Sequence, residues 1–207
     1  DNGEVISLLS SPYYDLDSFV GPIPMPTWNK LIKDSKKPFT NRVTQQTYPP
    51  GSIFKLLLSA IAIEKNIISP DWEVECNGIY YFHDTTFRCW NTEGHGSINL
   101  LDALKGSCNI YFYNLMQKIG FDLWSEQVEQ FGFGHKTGID LPYEKIGLVP
   151  NKKYMNKLYK NSGGWSKGHL LNLSIGQGET LVTPIQIINL MNFICNNGVS
   201  YAPHLNK

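Results

Sequence analysis

From Ile53 to Ile63 nearly every residue is apolar, yet one lysine, Lys55, sits inside the run. A run of this length is too short to span a bilayer. It reads as a helix that is apolar on all sides and must therefore be buried on all sides. The polar residues Ser52, Lys55 and Ser59 fall at i, i+3 and i+7 and line up along one face. An ammonium group is costly in a core unless it has partners or opens on a cavity. Any fold built around this helix has to supply Lys55 with acceptors. Just upstream, Pro49-Pro50-Gly51 forbids regular structure, which makes Ser52 a helix N-cap or first-turn residue.

The rest of the chain is compatible with one mixed α/β (α+β) domain over residues 1–207. Apolar residues make up 42% of the 207 and charged residues only 17%, which excludes a disordered chain. Eighteen basic residues balance eighteen acidic ones, so no basic surface is available to offset phosphate charge, and no nucleic-acid partner is expected. No signal peptide or membrane span appears. The opening Asp1-Asn2-Gly3-Glu4 turn has no strand before it, so the chain reads as a piece of something longer, with an N-terminal anchor outside it. Val5–Ser10 reads as a buried strand and residues 76–95 as an irregular excursion with aromatics. Helices are expected at Leu100–Lys105, Asn109–Gly120 and Leu123–Phe131. A further helix should start after the cap Thr183, with Pro184 at its first position and Gly198 past its end. Residues 152–168 read as polar loop, and Cys195 as a buried helix residue.

Ser52-Ile53-Phe54-Lys55 is an S-x-x-K motif that places a hydroxyl and an amine one helical turn apart. A desolvated lysine has a lowered pKa and can take a serine proton. The position at a helix N-terminus adds exposed N–H groups and the positive end of the dipole. Ser107-Cys108-Asn109 is an S-x-N motif whose alternate residues can share one cleft, as a relay hydroxyl and a substrate-holding amide. Read alone, it is a helix-cap cluster, since Ser and Asn are favoured there.

These motifs occur in order with Tyr48-Pro49-Pro50-Gly51, the segment from Gly132-Phe133-Gly134 to Ile139-Asp140-Leu141-Pro142, and Ile175-Gly176-Gln177-Gly178 before Thr183-Pro184. Together they resemble class B penicillin-binding proteins, most closely the elongation-specific penicillin-binding protein 2 group. The resemblance covers essentially the whole chain. It implies a penicillin-binding-protein/serine β-lactamase-like transpeptidase fold, with an antiparallel sheet flanked by helices. It also implies a D,D-transpeptidase acting in cell elongation, which cross-links peptidoglycan stem peptides through an acyl-serine and is a target of β-lactam antibiotics. Ser52 would be the nucleophile and Lys55 its general base. Ser107 would relay protons, Asn109 would hold the substrate amide, and the Ser52 N–H would form half of an oxyanion hole. The implied setting is the outer face of the cytoplasmic membrane, with a SEDS-type membrane glycosyltransferase as partner. A serine β-lactamase, and a non-enzymatic β-lactam-sensing or structural zinc domain, are the other readings.

Lys136-Thr137-Gly138 matches the family's K-T-G by letters, but it lies in the Gly-Phe-Gly to Ile-Asp-Leu-Pro segment and reads as a decoy. The catalytic K-T-G strand would follow the Thr183-Pro184 helix, so the sequence is expected to stop short of it and of the closing C-terminal strands. A polypeptide ending at Lys207 is expected to acylate poorly, since half an oxyanion hole costs roughly 10²–10³ in rate.

Cys76, Cys89, His95 and Cys108 form a C-x₁₂-C-x₅-H-x₁₂-C pattern of four ligands suited to tetrahedral Zn²⁺. With Ser107 and Asn109 facing a cleft, the thiol of Cys108 between them faces back into the protein, where a metal would clamp the loop. The resemblance points the same way, because some members of the group carry zinc beside the active site. A Cys76–Cys89 disulfide or free thiols are the rival readings. His83, His135, His169 and His204 show no partner pattern and read as satisfied or surface histidines.

Overall fold

The computed structural model describes residues 2–206; Asp1 of the opening turn and Lys207 lie outside the described residues. In chain order the elements are α1 (Met25–Lys33), α2 (Phe54–Glu64), β1 (Val74–Cys76), β2 (Ile79–Phe82), β3 (Thr85–Arg88), β4 (Gly96–Ile98), α3 (Leu100–Lys105), α4 (Asn109–Ile119), α5 (Phe121–Gln130), α6 (Lys152–Leu158), α7 (Lys167–Ser174) and α8 (Pro184–Cys195). They fall into two compact units. One comprises the described parts of Asp1–Tyr48, His135–Ile146 and Thr183–Lys207, the other Pro49–Gly134 and Gly147–Val182.

The second unit is built on α2. Phe54, Leu57, Leu58, Ile61 and Ala62 are fully buried there, among Tyr111, Phe112 and Leu115 of α4 and Trp124 of α5. Phe54 meets Phe133 edge-on at 5.2 Å between ring centroids. Local chemistry sets the helix ends. Asn99 caps α3 by accepting the Asp102 N–H, Asn151 caps α6 through the Tyr154 N–H, and Gly120 at φ +76° ends α4. In α4 the cap is a sulfur: Cys108 Sγ accepts the Tyr111 N–H at 3.5 Å.

Residues 76–95 are not an irregular excursion. β1 pairs antiparallel with β4, aligning Cys76 with Gly96, and β2 pairs antiparallel with β3, aligning Ile79 with Arg88. The inner ribbon closes through His83-Asp84, with His83 at φ +50°. This turn lacks the Asn-Gly or Asp-Gly signal that marks hairpins in sequence. Residues 152–168 likewise contain α6 and the start of α7, because the Asn151 cap and the buried Met155 outweigh a polar composition. The class is mixed α/β as expected, but the antiparallel pairing among the described residues takes the form of two two-stranded ribbons, without a central sheet.

In the first unit, Thr183 and Gln186 form a reciprocal capping box that starts α8. The Gln186 amide also donates to the carbonyls of His135 and Ile146. Val5–Ser10 is not a buried strand. Among the described residues only Glu4 bridges to His204; Ile6 and Leu9 are 99% and 85% exposed, while Val5 and Leu8 are half-buried. An extended segment without a ladder partner buries its apolar residues only in part. Cys195, at the end of α8, is exposed rather than buried, since it falls on the helix face away from Ile185 and Leu190. Lys136-Thr137-Gly138 serves a loop: the buried Glu144 carboxylate accepts the Thr137 N–H at 2.7 Å, its hydroxyl at 2.6 Å and the Gly138 N–H at 3.4 Å.

Candidate active site

Ser52 lies in a single 3₁₀ turn, Gly51–Ile53, that runs directly into α2. It is a first-turn residue, the N-cap position being Pro50. The turn is held from behind. Gly51 N–H donates to the Gly176 carbonyl at 2.8 Å, and a Cβ at Gly176 would stand 2.2 Å from the Gly51 oxygen. Gly176 is at φ +67°, so only glycine fits this approach. Sequence reading found the Ile175-Gly176-Gln177-Gly178 stretch but not this buttressing role, which depends on a contact 125 residues apart (176 − 51).

One turn further on, Lys55 is only 1% exposed. Its Nζ has three oxygen partners: the Ser107 carbonyl at 2.8 Å, Ser107 Oγ at 3.0 Å and Asn109 Oδ1 at 2.8 Å. It also lies 5.5 Å from the Phe112 ring centroid. An ammonium has three N–H bonds, and all three are satisfied here. Burial lowers the Lys55 pKa to about 8, partly opposed by the nearby Cys108 and Cys89. Ser107 Oγ is in turn 3.0 Å from Ser52 Oγ. The four expected residues are thus brought together, and Ser107 is the bridge between Ser52 and Lys55. Ser52, Ile53, Lys55, Leu56, Leu104 and Ser107 line a depression of about 310 Å³.

Ser59, third on the polar face of α2, is buried and donates to the Lys55 carbonyl at 2.8 Å. It satisfies itself within the helix.

Loss of a proton from Lys55 gives the network a direction. The Ser107 carbonyl and Asn109 Oδ1 can only accept, so a neutral amine keeps its two N–H bonds toward them. Its lone pair then faces the one partner able to donate, the Ser107 hydroxyl. Ser107 itself is held at φ +47°, a left-handed conformation that a non-glycine residue keeps only when its surroundings enforce it.

Behind this bridge, Cys76 Sγ, Cys89 Sγ, His95 Nδ1 and Cys108 Sγ lie within 4.8 Å of one another. The three thiols are buried and free. Cys76 and Cys89 sulfurs are 3.5 and 3.6 Å from His95 Nδ1, and Cys89 and Cys108 sulfurs are 4.0 Å apart. A tetrahedral Zn²⁺ with bonds of about 2.3 Å to sulfur and about 2.05 Å to nitrogen sets its ligand atoms about 3.6–3.8 Å apart, so this donor set fits the ion. The ribbons build the site, since His95 N–H donates to the Cys76 carbonyl and Cys89 N–H to the Gly78 carbonyl. Burial pushes the Cys108 thiol well up. Burial also acts upward on Cys89, but the backbone N–H groups of Asn109, Asn91 and Ile110 outweigh it and bring that thiol down.

A family model described as the penicillin binding protein transpeptidase domain matches residues 1–207. The peptidoglycan D,D-transpeptidase MrdA of Acinetobacter baumannii is 36% identical over 207 residues, covering 98% of this chain and 30% of that protein. MrdA of Escherichia coli is 33% identical, covering 98% of this chain and 32% of that protein. The chain thus spans about a third of the length of the curated relatives it matches. Among solved structures, the Helicobacter pylori complex of penicillin-binding protein PBP2 with MreC aligns at TM-score 0.91 and 34% identity, over 98% of this chain and 38% of that one. Pseudomonas aeruginosa PBP2 in complex with WCK 5153 aligns at TM-score 0.90 and 33% identity, over 98% and 46%.

Proposed function

This chain belongs to the penicillin-binding protein transpeptidase domain family, among its PBP2/MrdA-type class B members, and on that premise we propose that it carries the nucleophile of a peptidoglycan D,D-transpeptidase. The observation that carries this reading is the Ser52–Ser107–Lys55 bridge, because it connects an exposed serine to a buried amine with a depressed pKa.

In the proposed reaction, Ser52 Oγ attacks the carbonyl between the two terminal D-alanines of a stem peptide. Its proton passes to Ser107 Oγ as the Ser107 proton passes to neutral Lys55. Collapse of the tetrahedral intermediate breaks the C–N bond. The lysine proton returns through Ser107 to the departing amine, leaving an acyl-serine and free D-alanine. An amine of a neighbouring stem then attacks the ester, gives its proton to the same relay, and releases Ser52. The Asn109 amide and the Ser52 N–H at the head of α2 would hold the substrate amide and the developing oxyanion. A β-lactam carbonyl would be attacked in the same way, and its acyl group would stay on Ser52.

The substrate places this chemistry outside the cytoplasmic membrane, and we propose a membrane-attached enzyme working there with a SEDS-type glycosyltransferase. A solved neighbour described as a peptidoglycan synthase complex that coordinates polymerization and crosslinking supports a strand-making partner. Among the described residues no helix is long and apolar enough to cross a membrane.

Fluorescent penicillin labelling of the full-length protein tests the reading. A long-lived covalent adduct is expected, abolished by Ser52→Ala and slowed roughly 10²–10⁴-fold by Ser107→Ala. Rapid release of hydrolysed penicillin would indicate a β-lactamase, and an adduct that survives Ser52→Ala would refute the assignment. The pH dependence follows from Lys55. Below its pKa the amine carries the proton it must accept, so the acylation rate should rise with pH through about 8 and level off above it. A profile flat from about pH 6 to about pH 9 would show that Lys55 is not the base.

We also propose that Cys76, Cys89, His95 and Cys108 hold a structural Zn²⁺, supported by their separations. A bound ion would be held by Cys76 at the end of β1, Cys89 after β3, His95 before β4 and Cys108 at the cap of α4, and its role there would be structural. One zinc per chain is expected in purified protein. Cys89→Ser should lower the melting temperature by more than about 5 °C and slow acylation while leaving Ser52 labelling possible. Absence of stoichiometric zinc, or a Cys76–Cys89 disulfide, would overturn it.

A further inference from the structure

We propose that Trp90 is a positioning residue for the proton relay: its indole N–H locks the peptide plane that sets Ser107 between Ser52 and Lys55. The inference rests on the transpeptidase reading and adds a residue to it.

Trp90 is 65% exposed, yet its N–H is committed to the Gly106 carbonyl at 2.9 Å. Water would serve an exposed indole N–H almost equally well, so the bond adds little stability. What it adds is direction. The Gly106 carbonyl and the Ser107 N–H belong to one peptide unit, and the Ser107 N–H donates to the Leu104 carbonyl at 3.1 Å. That unit is therefore pinned at both ends, by Leu104 on one side and by Trp90 on the other. Rotating it would change φ of Ser107, now +47°, and swing Oγ out of line with Ser52 and Lys55.

The rest of the neighbourhood fixes the indole. Its ring meets the His95 ring edge-on, 5.5 Å between centroids. The Cδ2–Nε2 edge of His95 in turn lies against Gly106, where a Cβ would stand 3.1 Å from His95 Cδ2. The residue two positions earlier grips the other end of the same turn, since the Arg88 carbonyl accepts from the Asn109 amide at 3.4 Å. Residues 88 and 90, either side of Cys89, thus hold Asn109 and Gly106, the two ends of the segment that carries both relay and substrate groups.

The test uses the full-length protein as purified and follows acylation by a fluorescent penicillin over a range of concentrations. Trp90→Phe keeps a ring against His95 and deletes the N–H. The expected result is a fall of about tenfold in the limiting acylation rate, with the half-saturating concentration unchanged within about twofold. In a Ser107→Ala background the same substitution should have no further effect, because there is no hydroxyl left to place. Replacing Trp90 with 3-benzothienylalanine, which substitutes sulfur for the N–H at nearly constant shape, should reproduce the loss. This second variant decides the matter if Trp90→Phe disturbs folding. An unchanged rate would overturn the proposal. So would an unchanged limiting rate with weaker half-saturation, which would make the exposed ring a substrate platform, or an equal loss in the Ser107→Ala background. Failure of the parent protein to form a Ser52-dependent adduct would instead be a failure of the transpeptidase reading.

Discussion

A buried ammonium group is the constraint around which the active-site half of this structure is organised. Lys55 projects from a helix whose other buried residues, Ser59 aside, are apolar, and only 1% of its surface meets solvent. Its three N–H bonds must all end on protein acceptors, and all three acceptors come from the two residues Ser107 and Asn109. That requirement fixes the distance between the head of α2 and the head of α4, and it explains why the turn between α3 and α4 accepts a strained Ser107. The same arrangement creates reactivity. An ammonium held by two obligate acceptors and one hydroxyl can lose a proton only in a way that leaves its lone pair facing that hydroxyl.

The surrounding elements hold this geometry from two directions. Gly176 supports the Ser52 turn through a backbone contact that tolerates no side chain. On the other side, the paired ribbons carry Cys76, Cys89 and His95 to the back of Cys108, which is both the cap of α4 and the middle of the S-x-N segment. The proposed catalytic and ligating residues therefore alternate along the chain, Ser107 and Asn109 facing Lys55 while Cys108 faces the cluster. A shift in the cluster would pass directly to the relay, since the two share a backbone.

Much of this was legible in the sequence, for identifiable reasons. Helical spacing was enough to place Ser52 and Lys55 on one face, and extended alternation placed Cys108 opposite Ser107 and Asn109. The cluster of three cysteines and a histidine was only weakly marked by its spacing, which has no C-x-x-C knuckle; the backward-facing Cys108 and the family resemblance singled it out. The ribbons were not visible, because the His83-Asp84 turn has no glycine and the strands are three or four residues long. The α6 helix was hidden by its polar residues, since one buried methionine gives no periodicity. Val5–Ser10 misled because β-branched apolar residues promise a ladder that the described residues do not provide. The bond from Trp90 to Gly106 lies beyond sequence reading altogether: an indole donating to a carbonyl leaves no pattern of residue types.

The central claim is that Ser107 and Lys55 act as one proton path rather than as two separate aids to Ser52. A double-mutant cycle on the acylation rate tests it most directly, using Lys55→Ala, Ser107→Ala and the combined variant of the full-length protein. If the path is single, removing either residue already breaks it, and the double variant should be no slower than the worse single variant, within about threefold. If the two losses multiply, Lys55 reaches Ser52 without Ser107, and the relay described here is wrong.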